Sequence, residues 1–429
     1  MKKLLIAAAV VGAFALLSLG LLGACVIHAG KSFSFSADEK ATREETHPLE
    51  ISAGQTLRID LAGGDVRVRA GEAKSGISAR ITAWGETPEE AQAALAKAKL
   101  EVTNSEAGPS VTLSGAVLEG GFLQGIRRHT ANADLEIAVP PGVRLQIESG
   151  SGDVDAEGPF EGAHVHSAYG KVRIERVDGD VEATSSSGDV VVASARGKAV
   201  EATSGYGQVR VAGCESTRIV AKSSSGDVRV DDCRAERLQV ESGYGDLEIA
   251  HVDGEIEAKT SSGDVHVKAS KGPVASLATS YGRIHLEEGT GKLAASSSSG
   301  DVRITGFEGS VEARSGYGAV HVEGALRAVE AVSSSGDVSV TATAGSAVSS
   351  TWRISSNYGQ GKIEAPADLA FDIDARTNYG KIERGFPIEL APGTDDRNVR
   401  SIQGKVNGGG GKIEIRCKSG DVVFRPSGR

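Results

Sequence analysis

The sequence predicts an all-β protein, a parallel β-helix or solenoid with 18–19-residue coils, one short N-terminal helix and an N-terminal signal or membrane anchor. Three observations predict it. A glycine landmark recurs at Gly152, Gly170, Gly188, Gly207, Gly226, Gly245, Gly263, Gly282, Gly300, Gly318 and Gly336, at intervals of 18 or 19 residues, the spacing of a solenoid coil. Apolar residues alternate two and four positions after each glycine, as in Val190 and Val192, and seven and five before it, as in Val181 and Ala183, which is strand periodicity. The composition agrees: 56 of 429 residues are Gly, aromatic residues make up 4%, and there is one Met, so the core must be thin and built from small β-branched side chains.

Five segments follow along the chain. Met1-Lys2-Lys3 and the uncharged run Leu4–Ala24 read as a secretory signal or a spanning anchor over residues 1–27. Leu22-Gly23-Ala24-Cys25 resembles a lipobox, with Cys25 as the lipidation site; lipoprotein and uncleaved anchor both remain open. Residues 28–48 read as a polar tether. Residues 49–137 form an N-terminal coil and cap: Leu57, Ile59 and Gly64 already carry the motif. Thr87-Pro88-Glu89-Glu90 is a capping box opening a helix over about 88–99, whose stripe Ala91, Ala94, Leu95 and Ala98 is expected to cover the first coils. The regular array spans 138–342, and 343–429, where the spacing loosens, reads as irregular coils and a second cap.

Within the array a small hydroxyl stands three residues before every glycine, from Ser167 through Thr260 to Ser333, and by parity faces inward. One residue before the glycine, Ser and Tyr alternate: Ser151, Tyr169, Ser187, Tyr206, Ser225, Tyr244, Ser262, Tyr281, Ser299, Tyr317, Ser335. The reading preferred for this column is packing of each ring over its small neighbours, with an aromatic track for sugar rings as the alternative. The doubled period of 36 to 38 residues also suits a propeller blade, but no Trp-Asp signature recurs.

The run Ala138–Ala156, the repeated Ser-Ser-Ser-Gly-Asp-Val and Ser-Gly-Tyr-Gly units, and the segment from Gly411 to Phe424 resemble the bacterial β-strand-repeat family of domains of unknown function called Toastrack, over residues from about 50 to 429. The resemblance implies an envelope-exposed, β-helix-like module, often membrane-tethered and linked to envelope stress. Its adhesin label is itself an inference, and it brings no catalytic residues.

Chemistry is sparse. Gly-x-Ser-x-Gly, His-Glu-x-x-His and P-loop patterns do not occur, and the Asp column of Asp153, Asp189, Asp227, Asp246, Asp264, Asp301 and Asp337 recurs with the turn, as backbone-bonding residues do. Cys214 and Cys233 occupy the same position on neighbouring coils, within disulfide reach, and are expected to bond in an exported protein; Cys417 reads as a buried free thiol. An outward column of Arg173, Arg210, Arg229, His266, His285, Arg303 and His321 forms a candidate polyanion-binding stripe, although solvated sheet faces alone would also carry such charges. Two stacked histidines without a carboxylate argue against a metal, and no cofactor is expected. The net charge of −10 argues against general nucleic-acid binding. The sequence thus points to a non-enzymatic, exported and membrane-attached rod acting as an adhesin or binding scaffold. Its partners would be the membrane through the N-terminus and an anionic envelope polysaccharide or a surface protein. An envelope-stress sensor is the alternative, and a β-helix polysaccharide-degrading enzyme a more distant one.

Overall fold

Each coil is built from two strand runs, joined from the Gly170 coil to the Gly300 coil at a left-handed corner. In the coil that starts at Gly207, Val209–Ala212 points Val209 and Val211 inward and Arg210 outward. Gly213 turns the chain at φ 61°, and Glu215–Ser223 then sends Ile219, Ala221 and Ser223 inward. The corner recurs at φ 51–61° in Arg176, Ser194, Asp232, His251, Ala269 and Glu288, so these residues stack at one edge. Coils pair in parallel: Val209 faces Val228, Arg210 faces Arg229, and Ile219 faces Leu238. The computed structural model describes residues 39–71, 75–115, 117–118, 128–129, 131–392 and 399–427. It bears out the all-β solenoid with coils of 18–19 residues and one short helix; the candidate signal or anchor and Cys25 lie outside the described residues.

Two polar ladders fasten the turns. From Ser185 to Ser356 every inward hydroxyl accepts the N–H of its own landmark glycine at 2.8–3.3 Å and donates to the carbonyl of the landmark glycine one coil earlier at 2.8–3.0 Å. Ser and Thr suit the position because one hydroxyl both donates and accepts. The glycines must be glycines for a matching reason: a Cβ on Gly226 would lie 2.2 Å from the Gly207 carbonyl oxygen, and the same collision repeats along the column.

The N-terminal end is closed by a long excursion of the chain. Thr56–Leu61 and Val66–Ala70 form the first coil and pair directly with Arg144–Ser149 and Val154–Phe160, although more than seventy residues lie between them. The intervening segment turns back beneath this coil, pairing Gly108–Ser114 with Thr56–Leu61 and Ala131–Val139 with Val66–Ala70. Glu39–Pro48, expected to lie in the polar tether, is instead a ten-residue strand antiparallel to Gly76–Gly85, which in turn pairs antiparallel with Ala131–Val139. Its alternating polar residues remain on the exposed face while Ala41 packs inward. The helix runs Pro88–Lys97, with Thr87 Oγ1 accepting the Glu90 N–H at 3.2 Å. It packs on the strands Glu39–Pro48 and Gly76–Gly85 rather than over the first coils, and Arg43 donates to the carbonyls of Leu95 and Ala98 at its C-terminus.

At the other end the coils stack out of sequence order. The coil of Trp352–Ser356 and Gly361–Ala365 sits on the last regular one, aligning Ile354 with Ala331 and Ile363 with Val340. Its outer neighbour is the chain's final stretch, Gly411–Cys417 and Val422–Pro426, and only beyond that lies Phe371–Thr377 with Ile382–Arg384. The glycine column therefore runs Gly336, Gly359, Gly420, Gly380. The ladders follow the same order, since Thr377 donates to the Gly420 carbonyl at 2.8 Å and Asp421 accepts the Lys381 N–H at 2.8 Å. Arg416 of the inserted coil holds Asp374 of the outer one at 2.8 Å. Burial alone would raise the Asp374 pKa, but the Arg416 hydrogen bond and charge hold its carboxyl below the usual range. Ser401–Val406, antiparallel to Phe371–Thr377, closes this end.

Gly226→Ala is expected to lower the unfolding free energy by at least about 2 kcal/mol, because backbone on the neighbouring coil must move to admit the methyl group; denaturant titration measures it. Cys417 occupies the ladder's hydroxyl position, beneath Thr377 and above Ser356. Cys417→Ser should raise stability by about 1 kcal/mol by restoring a hydroxyl donor toward the Gly359 carbonyl, read by the same titration.

Candidate functional site

All seven tyrosines of the chain stand in one column along the turn edge. Tyr169, Tyr206, Tyr244, Tyr281, Tyr317, Tyr358 and Tyr379 are each 66–74% exposed. The expectation that these rings pack over their small neighbours is therefore corrected. The residue before the landmark glycine lies within the turn itself, which hugs the coil beneath: in three Tyr coils a Cβ on the preceding glycine, such as Gly205, would meet a carbonyl of the previous coil at 2.2 Å. With the turn backbone pressed inward, the following side chain projects off the edge. Because the final coil is inserted, Ser419 separates Tyr358 from Tyr379 and the alternation holds in space where it fails in sequence. Rings recur every second coil, about 9.6 Å apart at a strand spacing near 4.8 Å, along an edge of roughly 60 Å.

The Asp column beside the tyrosines is structural. Asp153, Asp189, Asp227, Asp246, Asp264, Asp301 and Asp337 each accept, through Oδ1, the backbone N–H of the equivalent residue one coil on, at 2.7–2.9 Å. These carboxylates line the tyrosine edge with negative charge.

The basic column is largely neutralised. Arg173 pairs with Glu175, Arg229 with Glu248, and His321 lies 3.6 Å from Glu323. His266 and His285 both approach Glu287. Arg210 and Arg303 make no ion pair among the described residues; Arg303 sits between His285 and His321 in register. Burial, then the charge of Arg303, pushes the His321 pKa below its ordinary value, and burial, then His266, does the same at His285. The acidic partners are set by strand geometry: an outward residue two positions along a strand shares the face of the first. That spacing was readable for Glu175, Glu287 and Glu323, but the cross-coil pairing of Arg229 with Glu248 needed the register.

Cys214 and Cys233 meet at the inner side of the left-handed corner, as their spacing implies, and are buried free thiols in this structure. The neighbouring thiol holds the Cys214 pKa down and, with burial, pushes Cys233 up, while the two Sγ atoms donate to the carbonyls of Ala212 and Asp231. Cys417 is also a buried thiol, pushed up to about 11 by burial.

These features define a class: a parallel β-solenoid whose turns present one repeated, solvent-facing aromatic edge. The family model described as Toastrack DUF4097 matches residues 55–290 and 254–424, and the chain belongs to this family of unknown function. No curated protein matches it. Among solved structures, a candidate cell adhesion protein of Clostridium sporogenes is 10% identical over 90% of this chain and 100% of its own, with a TM-score of 0.17. A candidate adhesin of Bacteroides fragilis is 10% identical over 91% and 97%, with a TM-score of 0.22. Likeness at that level says nothing about function here.

A histidine whose folded pKa is depressed binds fewer protons folded than unfolded, so stability falls as the pH drops below the ordinary histidine value of about 6.5. The midpoint of thermal unfolding is therefore expected to fall between pH 7.5 and 5.5, and His321→Gln should flatten that slope; differential scanning calorimetry across the range measures both.

Proposed function

We propose that this protein is a non-enzymatic, envelope-attached binding rod whose tyrosine edge docks a linear polysaccharide. The single observation that carries this reading is the column of seven exposed tyrosines repeating every second coil. An exposed tyrosine is a large, rigid, amphipathic contact that orders at low entropic cost, and rings in a straight row suit a partner that is itself straight and periodic. The two-coil interval is close to the repeat of an extended β-1,4-linked disaccharide, so successive tyrosines can meet the same C–H face of successive repeats. The Asp column beside the rings and the net charge of −10 favour an uncharged glycan over the polyanion suggested by the basic column. Export and attachment rest on the N-terminal apolar run and Cys25. A docking edge copied along the rod also supports adhesion through many weak contacts, since repeated sites on one scaffold convert later contacts into intramolecular ones.

Titrating the detergent-solubilised full chain with linear β-1,4-linked oligomers of glucose and of N-acetylglucosamine tests the reading. Affinity is expected to rise with oligomer length, and Tyr206→Ala, Tyr244→Ala and Tyr281→Ala together should weaken binding at least tenfold, about 1.4 kcal/mol, without changing the melting temperature. Equal binding by the triple variant, or no binding to either series, would overturn it.

A further inference from the structure

We propose that His266, His285 and Glu287 form a site for a divalent transition-metal ion of the zinc class. The sequence shows two histidines one coil apart, with Glu287 two residues beyond the second; the structure brings its carboxylate near both rings. His266 and His285 face each other across the parallel pairing of Val265–Lys268 with Ile284–Ser297, and their rings stack at 5.0 Å, only 3° from parallel. Glu287 leaves the same face two residues beyond His285. Its Oε1 lies 3.7 Å from Nε2 of His266 and 3.6 Å from Nε2 of His285. One donor atom from each of the three residues falls within 4.8 Å of the others. A tetrahedral zinc ion with bonds near 2.1 Å needs donors about 3.4 Å apart, so the carboxylate already stands near its place, and closing the site takes rotation of the two stacked imidazoles to aim both Nε2 lone pairs at one point.

A second observation marks the place as incomplete. His266 Nε2 is shielded from solvent and has no hydrogen-bond partner, an arrangement that folded proteins largely avoid. The other cluster of comparable make-up, Asp231, Asp232 and His251, lacks this feature, because His251 Nδ1 already contacts Asp231 at 3.1 Å. Two neutral imidazoles and one carboxylate are the donor set that suits zinc and its neighbours in the first transition row, and the half-exposed setting leaves the fourth position to water. Three charged groups surround the donors: Glu248 faces His266, Arg303 faces His285, and Lys268 Nζ lies 3.9 Å from Glu287. The two cations oppose a dication and Glu248, already paired with Arg229, offsets little of that charge, so moderate rather than extreme affinity is expected. A bound ion would clip two neighbouring coils together on the outward face at a place where the Arg-rich column changes to His.

The test is calorimetric titration of chelator-stripped, detergent-solubilised full chain with Zn²⁺, with Co²⁺ absorption reporting the ligand set. One equivalent is expected to bind the wild-type protein, to raise its melting temperature, and to give the visible bands of a four-coordinate Co²⁺ ion. His285→Ala and Glu287→Gln should each weaken binding at least tenfold, while their metal-free melting temperatures stay near wild type because these side chains lie on the surface. His251→Ala should bind as wild type does. Equal affinity in wild type and His285→Ala, or loss of binding in His251→Ala alone, would overturn the assignment.

Discussion

The hydroxyl that joins two landmark glycines is the contact on which the rest of the rod depends. At each turn the backbone leaves one strand run and enters the next, and its N–H and C=O groups point along the rod with no strand partner. Ser223 satisfies two of them with one oxygen, taking the N–H of Gly226 and giving its proton to the carbonyl of Gly207. Leaving either group buried and unpaired would cost about 1–3 kcal/mol, and the arrangement recurs in coil after coil. The same contact draws successive turns so close that no Cβ fits, which explains why the hydroxyl and the glycine travel together through the sequence.

A structure held by one repeated contact can offer function in two ways. It can repeat a side chain at a position the ladder leaves free, and the tyrosine column does so: the side chain before the glycine takes no part in the hydroxyl ladder and can alternate between Ser and Tyr. It can also depart from the repeat at one place. The His266 and His285 pair is such a departure, two histidines on neighbouring coils in an outward column that otherwise carries mostly Arg and the single His321. Regular spacing suits a periodic partner, and a local change suits a compact one such as an ion.

The ends obey the same contact by unusual routes. At the N-terminal end the first coil waits for a partner more than seventy residues later, with the antiparallel strands and helix covering its open edge. At the C-terminal end the final residues slide between two earlier coils. Cys417 there replaces the ladder hydroxyl, and Thr377 reaches the Gly420 carbonyl across the inserted coil. Covering both ends with antiparallel strands removes open parallel edges that would invite further pairing.

Coil length, strand alternation, the inward hydroxyls, the helix cap at Thr87 and the stacking of Cys214 on Cys233 were all legible in the sequence. Each depends on local period or on a neighbour one coil away, and a strict repeat turns that distance into a count of residues. The exposure of the tyrosines was not legible, because parity along a strand does not extend through a tight turn and side-chain size alone suggested packing. The fate of Glu39–Pro48 depended on a partner at Gly76–Gly85 that no repeat marked. The order of the last coils was decided only by tertiary structure: Tyr358 and Tyr379 break the alternation along the chain, and only the insertion of Ser419 between them restores it. A repeat specifies what each coil looks like; which coil lies beside which at the ends is settled by the open edges and the groups they leave to be paired.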